Sequence, residues 1–474
     1  MTRIAIIGGG ISGLSAAFYL EEPRHQGAVE YTLYESSPCL GGVIRTEHID
    51  GCQVEAGPDS FLSEKPWATD LCRALGLGDQ LIGSNDADRK TYILVRGRLI
   101  PIPDGLMFLI PTKIIPTVLS PLFSWSTKFR MAREFFQRSH AADADESIAS
   151  LVERHYGAEL VDRLADPLLS GIYGGEAANL SVRAVLPRFA EMERSYGSLG
   201  RAMLKARKRM PPSENKPPLF TSLKNGMQQL VDRLISRIDP RSVLTNTPVH
   251  SIQREANGWT VSAGLHPEHF DAVLVAVPAR IAAQLLVGVS EKLSSELAGI
   301  GYSSSITVGL GYAQDVRGAL PPGFGFLVPR CEGKGLLAAT FVHNKFPQRA
   351  SKNRALLRCF FTGHNADDIW QLSDDAIVKL VRANLQEIVG PLRAEPLFAR
   401  VYRWKSAMAQ YGVGHLERME RIENLRKQLP GLALAGNAYR GIGVPDCIRS
   451  GQEAAKELMN RLCGADTPVR EPSE

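Results

Sequence analysis

The chain has 474 residues, 44% of them hydrophobic and 22% charged, which describes a folded globular protein too long for one ordinary core, so two or three lobes are expected. Its 55 Lys and Arg against 50 Asp and Glu leave a net +5 spread along the chain, mildly attractive to anionic lipid or an acidic substrate and too weak to argue for nucleic acid. Seven cysteines without a Cys-x-x-Cys pair offer neither a metal cluster nor a disulfide framework, and a reducing compartment is expected.

An apolar strand from Arg3 to Ile7 runs into Gly8, Gly10 and Gly13 and then into a helix pattern that begins with Ile11 and Ser12. A second strand, Val29 to Tyr34, ends on Glu35, followed by Ser36. Glycines at this spacing tighten the turn, admit a pyrophosphate against the backbone and let helix and strand pack closely, while the acid after the second strand can hold a ribose hydroxyl pair. Dinucleotide binding is therefore the first expectation. Little sequence precedes the first strand, so no signal peptide is expected and the protein is placed in the cytoplasm.

Two further turns follow. Leu40 to Thr46 carries Gly41, Gly42 and Arg45, and Gly57, Pro58, Asp59 and Ser60 form the next. A single phosphate loop needs neither; extra backbone turns with a basic residue suit a cofactor whose long body leaves the first crevice, as FAD does. On these residues, Arg3 to Phe61 resembles the flavin-containing amine oxidase superfamily and, within it, the oxygen-dependent protoporphyrinogen and coproporphyrinogen oxidases of haem synthesis. The fold class implied is α/β: an FAD-binding Rossmann-like domain of the amine oxidase and p-hydroxybenzoate hydroxylase type, a mixed-sheet substrate domain, and a helical membrane-binding or lid domain.

The expected boundaries are 1–60, 224–289 and 401–474 for the FAD domain, 61–88 and 290–400 for the substrate domain, 89–205 for the helical domain, and 206–223 for a connector. Within the helical domain, Leu106 to Trp125 combines apolar residues with Lys113 and, close by, Lys128, Arg130 and Arg133. Prolines at 111, 116 and 121 exclude a span, but the stretch could rest on anionic lipid at the inner face of the cell membrane or line a channel. Helices are expected over Asp143 to Tyr156 and Glu159 to Leu169, leading into a glycine-rich turn from Ser170 to Gly175. The basic, proline-rich stretch from Lys205 to Lys216 reads as an exposed connector.

Phe220 to Leu223, a helix from Met227 to Ile238, and strands near Val243, Val249 and Asp271 to Val277 return the chain to the cofactor domain. Short strands between 290 and 400, including Ser303 to Leu310, Leu336 to Phe341 and Arg358 to Thr362, suggest the back wall of a cavity, followed by a helix from Ser373 to Val389. Near the end, Trp404 precedes a glycine-rich turn, Gly436 to Val444, that opens a final helix and suits electron density at a helix amino terminus.

The resemblance implies roles for these positions. Val249 would lie against the adenine, and Gly436, Ile442, Gly443 and Val444 would meet the ribityl chain and pyrimidine edge of the flavin, with Trp404 also at the cofactor. It implies six-electron oxidation of a porphyrinogen in three two-electron steps, with dioxygen as acceptor and hydrogen peroxide formed; the flavin N5 accepts hydride, so no catalytic side chain and no metal is expected. The substrate expected is protoporphyrinogen IX, with coproporphyrinogen III as the alternative and an amine oxidase or desaturase as the next. Thr91 stands where the family usually has an arginine, leaving Arg89 or Lys90 to hold a propionate. Gly171, Phe324 and Leu327 are the remaining candidates for the macrocycle's surroundings. A homodimer and a ferrochelatase contact are both open as partners.

Overall fold

The computed structural model describes residues 1–107, 109–138, 144–209, 217–264 and 266–462. A five-stranded parallel sheet runs, in spatial order, Val243–Leu244, Val29–Tyr34, Thr2–Ile7, Ala272–Val275 and Leu432–Leu434. Thr2–Ile7 is central, with Ile4 opposite both Tyr31 and Ala272. Both of its faces are covered: Ile4 and Ile6 join one apolar cluster, Ala5 and Ile7 another, which is why the strand is continuously apolar rather than alternating. Helix Ile11–His25 packs on this sheet beside the last helix, Val444–Leu462. Two glycines make the approach possible. A Cβ on Gly13 would stand 1.9 Å from the Gly8 carbonyl oxygen, and one on Gly451 2.0 Å from that of Ser12.

The second layer is a seven-stranded mixed sheet in the order Phe398–Ala409, Tyr302–Ala313, Arg354–Thr362, Ala338–Phe341, Gly325–Leu327, Thr91–Val95 and Arg98–Pro101. Only the pairing of Gly325–Leu327 with Thr91–Val95 is parallel. Alternation assigns its faces. Ile306, Val308, Leu357, Cys359 and Phe361 pack on helix Asp374–Val389, whereas Leu356 and Arg358 point to the hairpin formed by Thr46–Ile49 and Cys52–Glu55. Gly309, directly opposite Arg358, gives that hairpin room, since a Cβ there would meet Val54 Cγ1 at 2.8 Å.

The helical lobe differs from expectation in three places. Ser170 to Tyr173 belongs to helix Asp166–Tyr173, not to a turn; Gly174 ends that helix at φ 64°, and Val161–Ala165 is a single π-helical stretch before it. The first long helix of the pair starts at Ile148, where Ser147 caps it, and Asp143 lies outside the described residues. Lys205 and Lys208 are helical, within Leu199–Arg209, rather than in an exposed connector, and residues 210–216 lie outside the described residues.

The 106–125 stretch also sorts differently. Leu109, Ile110, Leu122 and Phe123 are buried in the lobe's core, while Ile115, Leu119, Trp125 and Phe129 are 66–77% exposed, and Phe136 is 84% exposed; Phe108 lies outside the described residues. Helix Trp125–Glu134 shows why: Thr127, Met131 and Glu134 form its inner stripe, leaving Trp125 and Phe129 on the outer one. No helix among the described residues is long and apolar enough to cross a membrane.

Candidate functional site

Gly8 adopts φ 108° as the chain leaves the central strand, and its N–H donates to the Tyr34 carbonyl at 2.8 Å. The N–H of Gly41 donates to the Gly9 carbonyl at 2.8 Å, drawing the second turn over the first. A Cβ on Gly42 would stand 3.4 Å from Gly10 Cα, and one on Gly10 would meet nothing within 4 Å. Helix Ile11–His25 thus begins at bare backbone: Gly10 supplies no side-chain cap, and its first turn holds no acid. Its first N–H groups are available to negative charge.

Glu35 stands at the mouth of this cradle. Its Oε2 accepts from Gly9 N–H at 2.8 Å and its Oε1 from Ser37 N–H at 2.8 Å, so the acid orders the loops it lies between; Ser36 is exposed beside it. The backbone of Glu35 also joins strand Val243–Leu244, through Leu244 and Thr247, which brings half-buried Val249 to this end of the sheet. Ser12 is buried and Ile11 half-buried. Arg45 is exposed and paired with Glu47 at 2.9 Å, and its carbonyl accepts from Ala56 N–H.

The Gly57–Ser60 turn is held from behind. Trp404 Nε1 donates to the Ala56 carbonyl at 2.8 Å, and a Cβ on Gly57 would collide with the Val43 carbonyl at 1.9 Å. Half-buried Pro58 leads to Asp59, whose carboxylate accepts from Lys345 Nζ at 2.9 Å and from Ser60 Oγ at 2.7 Å. Burial alone would push the Asp59 carboxyl up, but Lys345 and Arg358 together hold it well below the usual carboxylate range.

The carboxyl-terminal turn is built on a tyrosine. Tyr411 Oη donates to the Asn437 carbonyl at 2.8 Å and accepts from Gly441 N–H at 2.7 Å, while His415 stacks on Tyr411 at 4.0 Å and bonds to the Tyr439 carbonyl at 3.0 Å. Burial lowers the pKa of His415, so it serves as a neutral donor to that carbonyl. Gly436, at φ 130°, has nothing within 4 Å of its missing Cβ. Gly443 N–H donates to Asp446, which Lys65 Nζ holds at 2.6 Å, and Val444 is buried at the first position of the last helix. Sequence reading missed Tyr411, Lys65 and Asp446 as supports. Asp446 after a glycine turn was a visible signal; Lys65 carried none.

Ile442 of that turn packs on the same apolar cluster as Tyr173, Leu168 and Leu327. Gly171 faces Leu327: a Cβ on it would lie 3.7 Å from Leu327 Cδ2, within ordinary contact, so helix and sheet approach closely there. Phe324 is buried, pinned by its N–H to the Lys90 carbonyl at 2.7 Å. Lys90 and Arg89 are exposed at the rim of the same sheet; Arg89 has Asp86 at 3.9 Å, and Lys90 has no ion-pair partner among the described residues. A cleft of about 400 Å³ adjoins Gly174, lined by Gly175, Ser303, Arg330, Gln410 and Arg418. Its arginines are engaged, Arg330 by Glu176 at 2.7 Å and Arg418 by Glu296 at 3.2 Å. No group of metal-ligating side chains occurs among the described residues.

A parallel sheet with a glycine cradle, joined to a mixed-sheet lobe, defines a dinucleotide-binding protein. The sequence profile described as flavin containing amine oxidoreductase matches residues 11–459, and the chain belongs to that family. It is 34% identical over 474 residues to the coproporphyrinogen III oxidase of Bacillus subtilis, covering 97% of this chain and 98% of the relative. It is 28% identical to the chloroplastic protoporphyrinogen oxidase 1 of Arabidopsis thaliana, covering 97% and 88%. A solved structure from Exiguobacterium sp. 255-15, provisionally assigned as a protoporphyrinogen oxidase, superposes with TM-score 0.86 at 31% identity, covering 96% of this chain and 98% of the other. The cofactor is FAD. The chain has room for it: a Cβ on Gly10 or Gly436 would meet nothing within 4 Å, and each of these glycines precedes a helix amino terminus, the kind of bare backbone that a long dinucleotide approaches.

Proposed function

We propose that the protein oxidises a porphyrinogen to a porphyrin in haem biosynthesis, with coproporphyrinogen III preferred over protoporphyrinogen IX and dioxygen as acceptor. The observation that carries this reading is the apolar cluster on which Leu168, Tyr173 and Leu327 pack together with Ile442 of the carboxyl-terminal turn. An apolar wall shared with the turn at the flavin's end of the site suits a flat macrocycle. The substrate preference reverses the one drawn from sequence alone: the relative from Bacillus subtilis carries the coproporphyrinogen name at full length, and the exposed Arg89 and Lys90 at the rim suit a substrate with more propionates.

FAD, when bound, supplies the two-electron chemistry and returns the electrons to dioxygen. Gly8, Gly10, Ile11, Ser12 and Gly13 would present backbone N–H groups to its pyrophosphate, with Gly42 and Arg45 on the facing turn. Glu35 would release the Gly9 or Ser37 N–H to take ribose hydroxyls, with Ser36 at its side, and Val249 would border the adenine. Gly57, Pro58, Asp59, Ser60 and Trp404 would wall the ring system, and Gly436, Ile442, Gly443 and Val444 would close the other end, the helix amino terminus offsetting negative charge there. Gly171, Phe324 and Leu327 would orient the macrocycle and exclude water from it, and Arg89 and Lys90 would hold propionates.

A second contact is carried by the outer face of the helical lobe. Ile115, Leu119, Trp125 and Phe129 are exposed together with Lys113, Arg130 and Arg133, and we propose that this face rests on anionic lipid.

Anaerobic mixing of the purified protein with each porphyrinogen tests the main reading. Flavin absorbance should bleach with both, faster with coproporphyrinogen III. Bleaching by neither, but by a primary amine, would refute it.

A further inference from the structure

Three cations and two carboxylates, brought together from residues 55–59 and 345–358, are packed behind the Gly57–Ser60 turn. Lys345 pairs with Asp59 at 2.9 Å, Arg349 with Glu55, and Arg358 with Asp59 at 3.8 Å. Arg349 and Arg358 also donate to the turn itself, to the carbonyls of Asp59 and Gly57. All five side chains are at least four-fifths buried, and Lys345 lies over the rings of Phe220 and Phe346 at 4.6 and 5.3 Å. Nearby His343 adds no charge, because burial pushes its pKa down to about 4. Lys345, Arg349 and Arg358 therefore exceed Glu55 and Asp59 by one positive charge.

A cavity of about 10 Å³ lies within the array, lined by Gln53, Glu55, Asp59, Gly309, Arg349 and Arg358. The Nε atoms of Arg349 and Arg358 have no hydrogen-bond partner, nor does Gln53 Oε1. The volume admits about one water and no larger counter-ion. The surplus charge is thus not neutralised inside the array, and a buried unbalanced charge is costly to keep.

We propose that this surplus stabilises the negative charge that reduction brings to the cofactor, so that Lys345 and Asp59 set the flavin's reduction potential in opposite directions. The proposal rests on the reading of the Gly57–Ser60 turn as a wall of the FAD site. In a poorly hydrated interior a single fixed charge acts over several ångströms with little screening. Lys345 and Asp59 are here positioning residues that act through the field, not through contact with substrate.

The test is the midpoint potential of the purified holoenzyme, titrated against a reference dye, with FAD stoichiometry measured on the same samples. Lys345→Met should lower the reduced-to-oxidised ratio at fixed potential by about tenfold, which is ~30 mV for a two-electron couple. Asp59→Asn should raise it by a similar factor, and Lys345→Arg should leave it at the wild-type value. A purely structural role would move Lys345→Met and Asp59→Asn in the same direction, and that result, or a wild-type potential in FAD-replete Lys345→Met, overturns the proposal. If Lys345→Met does not fold, Asp59→Asn decides, a potential at or below wild type being the refuting result. Wild-type protein purified without FAD would instead overturn the cofactor reading itself.

Discussion

Replacing Gly451 with alanine would put a methyl carbon 2.0 Å from the Ser12 carbonyl oxygen, where ordinary contact begins near 3.4 Å. The obstacle is backbone, in the first turn of helix Ile11–His25, and no side-chain rotation relieves it. The last helix and the first must therefore separate by roughly an ångström, and close-packed interiors pass such displacements on rather than absorb them. Overpacking of this kind costs about 1 to 3 kcal/mol. The strain falls on the helix that begins at the open Gly10 backbone, so FAD affinity should suffer along with stability. Flavin content after gel filtration and the temperature of flavin release on heating are the measurements. Gly318→Ala is the control, since a Cβ there meets nothing within 4 Å. Full FAD occupancy and an unchanged release temperature in Gly451→Ala would refute the argument that this helix crossing holds the cradle in place.

His155, fully buried, lies between Glu134 at 3.2 Å and Glu193 at 3.0 Å, with Arg154 also on Glu193 and Glu146. Burial alone would lower its pKa, but the two carboxylates raise it above its ordinary 6.5; the stability this contributes is complete below 6.5 and is lost as pH rises through the raised value. His155→Leu should cost about 1 to 3 kcal/mol, since Glu193 keeps Arg154 and Glu134 keeps Ser198 Oγ and the N–H groups of Leu199 and Gly200, and should flatten the alkaline loss of melting temperature; an equally pH-sensitive variant would refute the assignment. Leu119→Ser, Trp125→Ser and Phe129→Ser combined should weaken sedimentation with anionic liposomes while leaving FAD content intact, and wild type that never sediments would end that proposal. Phe123 and Leu109 are unsuitable for such a test because both are in the lobe's core. Arg89→Gln and Lys90→Gln, compared on both porphyrinogens, should raise the Michaelis constant by roughly 1 to 3 kcal/mol of lost contact, more for coproporphyrinogen III; unchanged kinetics in both would remove the rim from the substrate site.

The features of this protein that arise within a short stretch of chain were legible from the residues alone. A glycine at 8, 10 and 13 between an apolar strand and helix, with an acid closing the next strand, specifies a nucleotide turn wherever the rest of the chain goes, because the φ values, the missing Cβ atoms and the helix amino terminus belong to the segment. The glycine turn from Gly436 into the last helix was legible for the same reason, as was the alternation of Ser303 to Leu310 that became strand Tyr302–Ala313. Apolar content alone did not sort Phe123 from Trp125: which is buried depends on the stripe the neighbouring helices cover. Nor did it show that Gly171 is helical, since a helix cap such as Gly174 resembles a turn in sequence. The Lys345, Arg349 and Arg358 array was out of reach altogether. Its partners Glu55 and Asp59 are nearly 300 residues away along the chain, and only the packing of the mixed sheet against the Cys52–Glu55 strand brings the charges within bonding distance. Electrostatics of that kind is decided by the tertiary structure because a charge's energy depends on what surrounds it in space, which no local pattern of residues encodes.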